Sequence, residues 1–530
     1  MGVLELADIP VGERMRRFLL LTIGAIGFGC LVVLNVGGYR YGVSDQAFYI
    51  PVVLQELTPN MYPHDAPLIA AQDRFFFFDD WFAGILRYSD TSIPSGFLIG
   101  YALTLLLLYG AIVAVGRSMY TSWWTVSALA IGLTIRHRIP DTAVNTLESY
   151  FHPRLLAFSV GVWAVAAFLR GRTWLALVIT GLALLAHPTT GLWFVVFVGS
   201  AALVSDRNAR PGLITLIAMA VVGAAYVLAG PLREQLVVMD PTWSSVLSTK
   251  DYLIASEWLP ITWFGHCSVA GLIGYVYWYR RSLSINSTKE DGLIIGCAVL
   301  LGLFLLSVPF ASARVALVVQ LQFNRIFWVL DLFGSIYLAW LLVESPLWSR
   351  SKLAWLRKAP RPAMAALLLA LALSRGGYVM FVERAGHPVL ETDLAPSDWH
   401  EAMEWAASQP LGTHFLAEPD HAARYGTSIR ASGGQDVFLE IIKDTGIAIY
   451  SADIAHRLSQ RVTDLGDFKS LTATAALRLA DRYDLDFLIT EHPIALPEAK
   501  QTGRFHIYDL NRDIQFVSSD TRTSATFQDN

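Results

Sequence analysis

The carboxyl group of Asp45 is the first candidate for chemistry in this sequence. Asp45 lies in the polar segment that directly follows Phe18–Val36, an apolar run long enough to cross a membrane. A carboxylate at the edge of a membrane is energetically costly and by default indicates function. Burial there would raise its pKa toward the range of a general base. The alternative is structural, because Ser44-Asp45 before an apolar helical run is also a good N-terminal helix cap. One residue can serve both purposes.

Basic side chains beside later apolar runs predict a site for an anion. Guanidinium groups match the geometry of phosphate oxygens, so a lipid phosphate or diphosphate is the natural ligand. Three alternatives remain: ion pairs within the segment 136–154, contacts with lipid headgroups for Arg325, and, for His187, hydrogen bonds to the backbone carbonyls freed by Pro188. The candidate phosphate-binding residues are Arg136, Arg138, Arg154, His187 and Arg325.

Glu148 and His152 stand among these basic residues and could, together with Asp45, be ligands of a divalent metal such as Mg or Mn. The sequence leaves metal dependence open, and no cofactor is certain. The cysteines show no spacing typical of a zinc site, since the three of them lie far apart in or beside apolar runs.

The composition indicates a membrane protein. Of 530 residues, 54% are hydrophobic and 16% are charged, whereas soluble proteins carry about 25% charged residues. The apolar residues form blocks of about 17–20, the length that crosses a bilayer core. This pattern predicts an α-helical polytopic domain of about eleven spans, in which 173–204 is counted as two short spans rather than one kinked span. The predicted spans are residues 18–36, 96–115, 121–135, 155–170, 173–187, 190–204, 212–229, 262–280, 292–309, 322–343 and 362–381.

The distribution of Lys and Arg predicts the orientation of these spans. Basic residues precede the first span and follow the even-numbered ones, for example in the segment 350–361 after the tenth. By the positive-inside rule these loops and the N-terminus are cytoplasmic. Asp45, the loop 136–154, His187 and Arg325 then lie at the outer face of the membrane.

The chain is predicted to have two domains, a transmembrane domain of residues 1–382 and a soluble α/β domain of residues 383–530. The second domain carries 23 acidic and 13 basic side chains, a net charge of about −10. Its helical and strand-like segments alternate, as in Glu401–Ser408, Thr413–Glu418 and Asp486–Thr490, which is typical of an α/β domain. An odd number of spans precedes this domain, so it is expected on the periplasmic or extracellular side.

These features together resemble the GT-C superfamily of polytopic glycosyltransferases, in an uncharacterised bacterial branch. Members have an acid in the first outer loop, where this chain has Asp45 in GVSDQAFY. A second motif lies in the second outer loop, where this chain has Glu148–Arg154, ESYFHPR. Many members also end in a soluble outer domain. This chain has Asp45-Gln46 instead of the adjacent Asp-Glu pair of the protein mannosyltransferase and aminoarabinose transferase branches, and its C-terminal domain has no WWDYG motif.

The resemblance implies transfer of a sugar from a polyprenyl-phosphate-linked donor to an acceptor at the outer face of the membrane, with inversion at the anomeric carbon. Asp45 would be the general base, and Arg154 and Arg325 would hold the leaving phosphate. The expected setting is a bacterial inner (plasma) membrane, with membrane lipids and a lipid-linked sugar donor as partners and no nucleic acid. Two alternatives remain. A transporter or flippase of lipid-linked saccharide predicts charged residues within spans and inverted repeats, and the other alternative is a GT-C-like scaffold without catalytic activity.

Overall fold

Long apolar helices dominate the N-terminal part of a computed structural model that describes residues 11–74, 76–230, 232–347, 361–393 and 396–511. Each of the eleven segments predicted as spans forms a helix. Within the described residues, seven helical segments are long and apolar enough to cross a membrane, and three more are apolar but shorter. The chain is therefore a multi-pass membrane protein, and the count of eleven spans stays a prediction. Residues 348–360, with most of the basic side chains expected after the tenth span, lie outside the described residues.

The helices are α1 (Val11–Val36), α2 (Gln46–Leu57), α3 (Ala66–Asp73), α4 (Phe78–Ser89), α5 (Ile93–Met119), α6 (Trp123–Thr134), α7 (Pro153–Leu169), α8 (Thr173–Ala186), α9 (Pro188–Ser205), α10 (Arg210–Ala229), α11 (Pro241–Val246), α12 (Pro260–Ser282), α13 (Thr288–Ser312), α14 (Ala316–Leu321), α15 (Ile326–Val343) and α16 (Arg361–Tyr378), and the short strands are β1 (Tyr39–Arg40), β2 (Arg138–Ile139), β3 (Val144–Asn145) and β4 (Leu390–Glu391).

Proline and histidine together fix the starts of two of these helices. Pro153 and Pro188 are the first residues of α7 and α9, where the missing N–H costs no hydrogen bond and the fixed φ suits a helix. The preceding residues, His152 and His187, each accept a backbone N–H of the first turn with a ring nitrogen. Both imidazoles are thereby held at the ends of apolar helices, beside the loops that connect them.

Residues 173–204 form two separate helices, which is the arrangement that the predicted orientation requires. Thr173 at the start of α8 donates a hydrogen bond to Asp206 just after the end of α9. Gly191 in the first turn of α9 lies against the backbone of Leu184 near the end of α8, so closely that a Cβ there would overlap it. The two helices are therefore antiparallel and joined by a tight turn.

A mixed five-stranded sheet forms the centre of a small C-terminal domain. Its strands are β5 (His414–Leu416), β6 (Asp436–Val437), β7 (Phe487–Thr490), β8 (Glu498–Thr502) and β9 (Phe505–Asp509), and its helices are α17 (Asp398–Ala407), α18 (His421–Arg424), α19 (Ile441–Ala448), α20 (Ala452–Leu465) and α21 (Ala473–Tyr483). The strand order is β6-β5-β7-β9-β8, with β6, β5 and β7 parallel and β9 antiparallel to both β7 and β8. A C-terminal domain that combines a sheet with helices is therefore confirmed, and its boundary at residue 383 stays a prediction.

A buried group of charged side chains joins this domain to the connection between α1 and α5. The Arg430 Nε donates to Asp65 Oδ2 at 2.7 Å, and its Nη1 donates to Asp444 Oδ1 at 2.6 Å. Arg457 donates to the other oxygen of Asp65, also at 2.7 Å. We refer to Asp65, Arg430, Asp444 and Arg457 as the Arg430 cluster. Because removal of one partner from a buried ion pair leaves an uncompensated charge, this cluster fixes how the two parts of the chain meet.

Candidate functional site

A cavity of about 210 Å³ lies where the start of α2, the starts of α7 and α9, the turn before α15 and the C-terminal helix α19 meet. Of the described residues that line it, four are arginine or lysine and one carries a carboxylate. The cavity therefore has a clear excess of positive charge, which suits an anionic ligand. The charged residues are Arg154, Lys250, Arg325, Lys443 and Asp45.

Asp45 occupies the N-cap position of α2, but its side chain accepts no backbone N–H of that helix. Its Oδ2 lies 3.2 Å from His152 Nε2 and 3.6 Å from an Nη of Arg154. Its Oδ1 lies 3.5 Å from Lys443 Nζ. Capping by the side chain, the structural alternative for Asp45, is therefore wrong. The carboxylate instead faces nitrogen donors from two distant parts of the chain.

The pKa of Asp45 is lowered well below its usual range, and the expected rise is wrong. Burial alone would raise it, but the charge of Lys443, the hydrogen bond from His152 and the charge of Arg154 outweigh burial. The carboxyl group is thus ionised at neutral pH and is a weak base while these cations face it. A rise was expected because Lys443 is far from Asp45 in the sequence and its proximity could not be foreseen.

His152 acts as a neutral hydrogen-bond donor to Asp45. Burial, followed by the charge of Arg154, lowers the pKa of His152 to about 4. Its Nδ1 accepts the backbone N–H of Arg154 at 3.0 Å, so in the neutral ring the proton must sit on Nε2, which faces Asp45. The imidazole therefore orients the carboxylate without adding a charge.

Two of the four cations have no carboxylate within 4 Å among the described residues. Arg325 donates to Thr189 Oγ1 at 3.0 Å, and its buried Nε has no hydrogen-bond partner there. Lys250 donates to the backbone carbonyl of Ile442 at 3.2 Å. Burial, and then the nearby charge of Lys443, lower the pKa of Lys250. Unpaired cations in a partly buried cavity are costly unless an anion binds there.

The structure brings together five of the residues predicted for the site and leaves three aside. Asp45, His152, Arg154, His187 and Arg325 all line the cavity. His187 lines the cavity, and its Nδ1 accepts the backbone N–H of Thr190 rather than leaving the ring to satisfy a freed carbonyl. The three that do not line the cavity are Arg136, Arg138 and Glu148.

Ion pairing within the loop accounts for Arg136 and Glu148, whereas Arg138 is exposed outside the cavity. Glu148 is buried and accepts a hydrogen bond from Arg154 at 3.3 Å, with Arg136 4.0 Å away. Arg136 also donates its Nε to the carbonyl of Leu147. Arg138 is exposed on β2. A phosphate in the cavity would not reach either arginine in this arrangement.

The donor set does not suit a divalent metal, for which Asp45, Glu148 and His152 were considered as possible ligands. In the part of the chain that the structure describes, no three His, Cys, Asp or Glu side chains are grouped closely enough to hold a metal ion. The carboxylates of Asp45 and Glu148 both face Arg154. Cationic neighbours repel a metal ion, so the same charges that suit a phosphate oppose a divalent cation.

Sequence reasoning did not find Lys443 and did not single out Gln322 and Tyr450, although all three line the cavity. Lys443 is only 8% exposed and lies over the ring of Phe48 at 4.9 Å. Lys443 directly follows Ile441 and Ile442 at the start of α19, and this position was a usable signal, because lysine is rarely buried without a partner. Gln322 and Tyr450 offered no such signal.

Comparisons with known proteins give weak similarities. No protein-family model matches the chain, and no curated protein sequence matches it. The crystal structure of the Archaeoglobus fulgidus oligosaccharyltransferase in the apo form is similar over 89% of this chain and 69% of that chain, with 12% identity and a TM-score of 0.47. Its complex with Zn and sulfate is similar over 88% and 67%, with 13% identity and a TM-score of 0.44. The archaeal oligosaccharyltransferase AglB from the same organism, in complex with an inhibitory peptide and a dolichol-phosphate, is similar over 91% and 70%, with 14% identity and a TM-score of 0.39. At these values the similarities establish neither a family nor an activity.

Proposed function

We propose that this chain is a membrane glycosyltransferase that transfers a sugar from a polyprenyl-phosphate-linked donor to an acceptor at the outer face of a bacterial plasma membrane. The observation that carries the proposal is the cavity in which one carboxylate stands among four cations, two of them without a carboxylate partner in the described residues. A phosphate-linked sugar needs both features, a basic group for the acceptor and positive charge for the leaving phosphate.

The position of the cavity supports a lipid-linked rather than a soluble donor. Arg154 lies in the first turn of α7 and Arg325 directly before α15, and both helices are apolar. A phosphate held by these two guanidinium groups would have its hydrocarbon chain beside helices suited to the bilayer. The proposed orientation, with the N-terminus in the cytoplasm and the C-terminal domain outside, follows from the positive-inside rule.

In the proposed reaction, Asp45 accepts a hydrogen bond from a hydroxyl of the acceptor and takes its proton. The hydroxyl oxygen forms a bond to the anomeric carbon, while the bond from that carbon to the phosphate oxygen breaks and its electron pair stays on the phosphate. The configuration at the anomeric carbon is inverted. The phosphate gains one negative charge in this step, so fixed cations stabilise the transition state more than the bound donor.

Binding of the donor also makes Asp45 a better base. In the free protein Lys443 and Arg154 act on the carboxylate and keep its pKa low. A phosphate that binds the same cations neutralises part of their charge, and the pKa of Asp45 rises toward its usual range. The base would thus gain strength only when the donor is present, which limits unproductive proton transfer.

Replacement of Asp45 by the isosteric Asn tests the proposal. Loss of a general base typically lowers the rate by a factor of about 10²–10⁴. A strain that makes the Asp45→Asn variant should therefore lose the corresponding glycan from its cell envelope. Mass spectrometry measures this loss against wild type and a deletion strain. Asp80→Asn is the matched control, because Asp80 is an exposed carboxylate in the same connection and should leave the glycan unchanged. A normal glycan in an Asp45→Asn strain that makes and inserts the protein would refute the role of Asp45 as the base. If the variant loses transport of the lipid-linked saccharide across the membrane but keeps transfer of the sugar, the alternative of a flippase is favoured.

A further inference from the structure

Gln322 adopts a backbone conformation that residues with side chains seldom adopt. Its φ is +48° and its ψ is 61°, in the left-handed region, directly before the turn Phe323–Arg325 that leads into α15. Glycine would take this conformation without strain. Non-glycine residues held there cluster at binding sites, where the side chain is needed and the surroundings enforce the strain.

The amide of Gln322 has one partner and one vacant acceptor. Nε2 donates to the hydroxyl of Tyr450 at 2.8 Å. Oε1 is buried and has no hydrogen-bond partner among the described residues, although an amide oxygen can accept two hydrogen bonds. The residue is 4% exposed and lines the cavity. A buried acceptor without a donor is uncommon in a folded protein and requires an explanation.

The same short turn presents an unpartnered donor as well. The buried Nε of Arg325, three residues later, has no partner in the described part of the chain, and Arg325 lines the same cavity. A phosphate has only acceptors and can fill the need of Arg325 but not that of Gln322. A hydroxyl or an amide N–H is a donor and can fill the need of Gln322. A sugar joined to a phosphate carries both kinds of group.

We propose that Gln322 Oε1 accepts a hydrogen bond from a hydroxyl or amide N–H of the donor's sugar ring, and that Gln322 thereby contributes to the choice of sugar. This inference rests on the proposed function, because it assumes that Arg325 binds the donor phosphate. Tyr450, from the C-terminal domain, is a positioning residue: its hydroxyl holds Nε2, so that Oε1 is the atom left for the sugar. Sugars without a donor group at that place gain nothing from Gln322.

The test measures binding rather than turnover, because a binding titration does not require the identity of the natural sugar. The full chain in lipid nanodiscs is titrated with the methyl ester of polyprenyl phosphate, called the bare lipid in this test because it has no sugar but the same single charge as a sugar phosphodiester. The other probes are polyprenyl phosphate carrying glucose, galactose, mannose or N-acetylglucosamine. We expect wild type to bind at least one glycosylated probe about tenfold more tightly than the bare lipid, the effect of one hydrogen bond to a buried group. Gln322→Leu should abolish that gain and leave the affinity for the bare lipid unchanged. Tyr450→Phe should reduce the gain in part.

Three outcomes would overturn the inference. Equal affinity of wild type for the bare and all glycosylated probes removes the proposed contact with the sugar. An undiminished gain in Gln322→Leu assigns the contact to another residue. If the Gln322→Leu variant does not insert into the membrane, Gln322→Asn is measured instead, because Asn tolerates the left-handed conformation and its amide is one methylene shorter. An undiminished gain in Gln322→Asn also assigns the contact to another residue. Absence of binding by any probe, the bare lipid included, is a different result and refutes the proposed function itself.

Discussion

Replacement of Lys443 by Gln tests whether the C-terminal domain takes part in the chemistry. Lys443 Nζ lies 3.5 Å from Asp45 Oδ1, and the two side chains are 10% and 30% exposed. At such a distance a pair of unit charges interacts by about 1 kcal/mol in water and by about 4 kcal/mol at the effective dielectric of a protein surface. A value of about 2 kcal/mol suits this partly buried position, and we expect a similar energy between Lys443 and a donor phosphate.

Two changes follow from the loss of this charge. The affinity for bare polyprenyl phosphate should fall by about 30-fold, which is about 2 kcal/mol converted at 1.4 kcal/mol per factor of ten. The pKa of Asp45 should rise, because Lys443 is the largest of the cationic influences that lower it. Asp45 must be ionised to act as a base, so activity is lost as the pH falls through its pKa. The acid limb of the pH profile should therefore move to higher pH in Lys443→Gln.

Titration of the protein in nanodiscs measures the first change, and sugar transfer as a function of pH measures the second. Lys443→Arg, which keeps the charge, should restore most of the affinity. Lys469→Gln is the matched control, because Lys469 is exposed on the same domain, and it should change neither quantity. If donor affinity and acid limb in Lys443→Gln both equal those of wild type, the ion pair with Asp45 has no functional meaning and the reasoning is wrong.

Two further substitutions separate binding from folding. Arg325→Gln should weaken the binding of bare polyprenyl phosphate by a factor of about 10–100, the range for one charge-assisted contact. The control Arg138→Gln should leave this binding unchanged. Equal effects of the two substitutions would contradict the assignment of the cavity as the phosphate site. Arg430→Met should lower the free energy of unfolding by about 3–5 kcal/mol, because Asp444 would remain buried without a cation and Asp65 would keep only Arg457 of the cluster. A thermal unfolding midpoint equal to that of wild type would show that the Arg430 cluster does not hold the two parts together.

The sequence predicts those parts of the site that belong to the starts of apolar helices. Arg154 and Arg325 lie within two residues of such starts, and Asp45 begins the helix after α1. The positive-inside rule assigns all three to one face of the membrane, so the order of spans and charges along the chain is enough to group them. The strand predicted at Asp486–Thr490 and the helix predicted at Glu401–Ser408 correspond to Phe487–Thr490 and Asp398–Ala407 in the structure. Local patterns of apolar residues define both elements.

The rest depends on contacts between distant segments. The low pKa of Asp45 comes largely from Lys443 on α19, and no local pattern relates the two. The positions of Arg136 and Glu148 outside the cavity could not be predicted for a related reason. Charge alone predicts that a residue needs a counter-ion, but it does not distinguish a ligand from a neighbour in the same loop. Only the fold shows that Arg136 and Glu148 have each other, whereas Arg325 has no carboxylate partner among the described residues.

The Arg430 cluster has a consequence for the synthesis of the protein. Asp65 and Arg430 are separated by 365 residues, and a ribosome makes Asp45 and Arg154 long before it makes Lys443 or Tyr450. During synthesis the early helices enter the bilayer and contact its lipids while the cavity still lacks the side that the C-terminal domain forms. A nascent chain, or one truncated before Arg430, therefore holds a carboxylate and two arginines but no finished pocket. Completion of the polypeptide and docking of its last domain are therefore both needed before the cavity is complete.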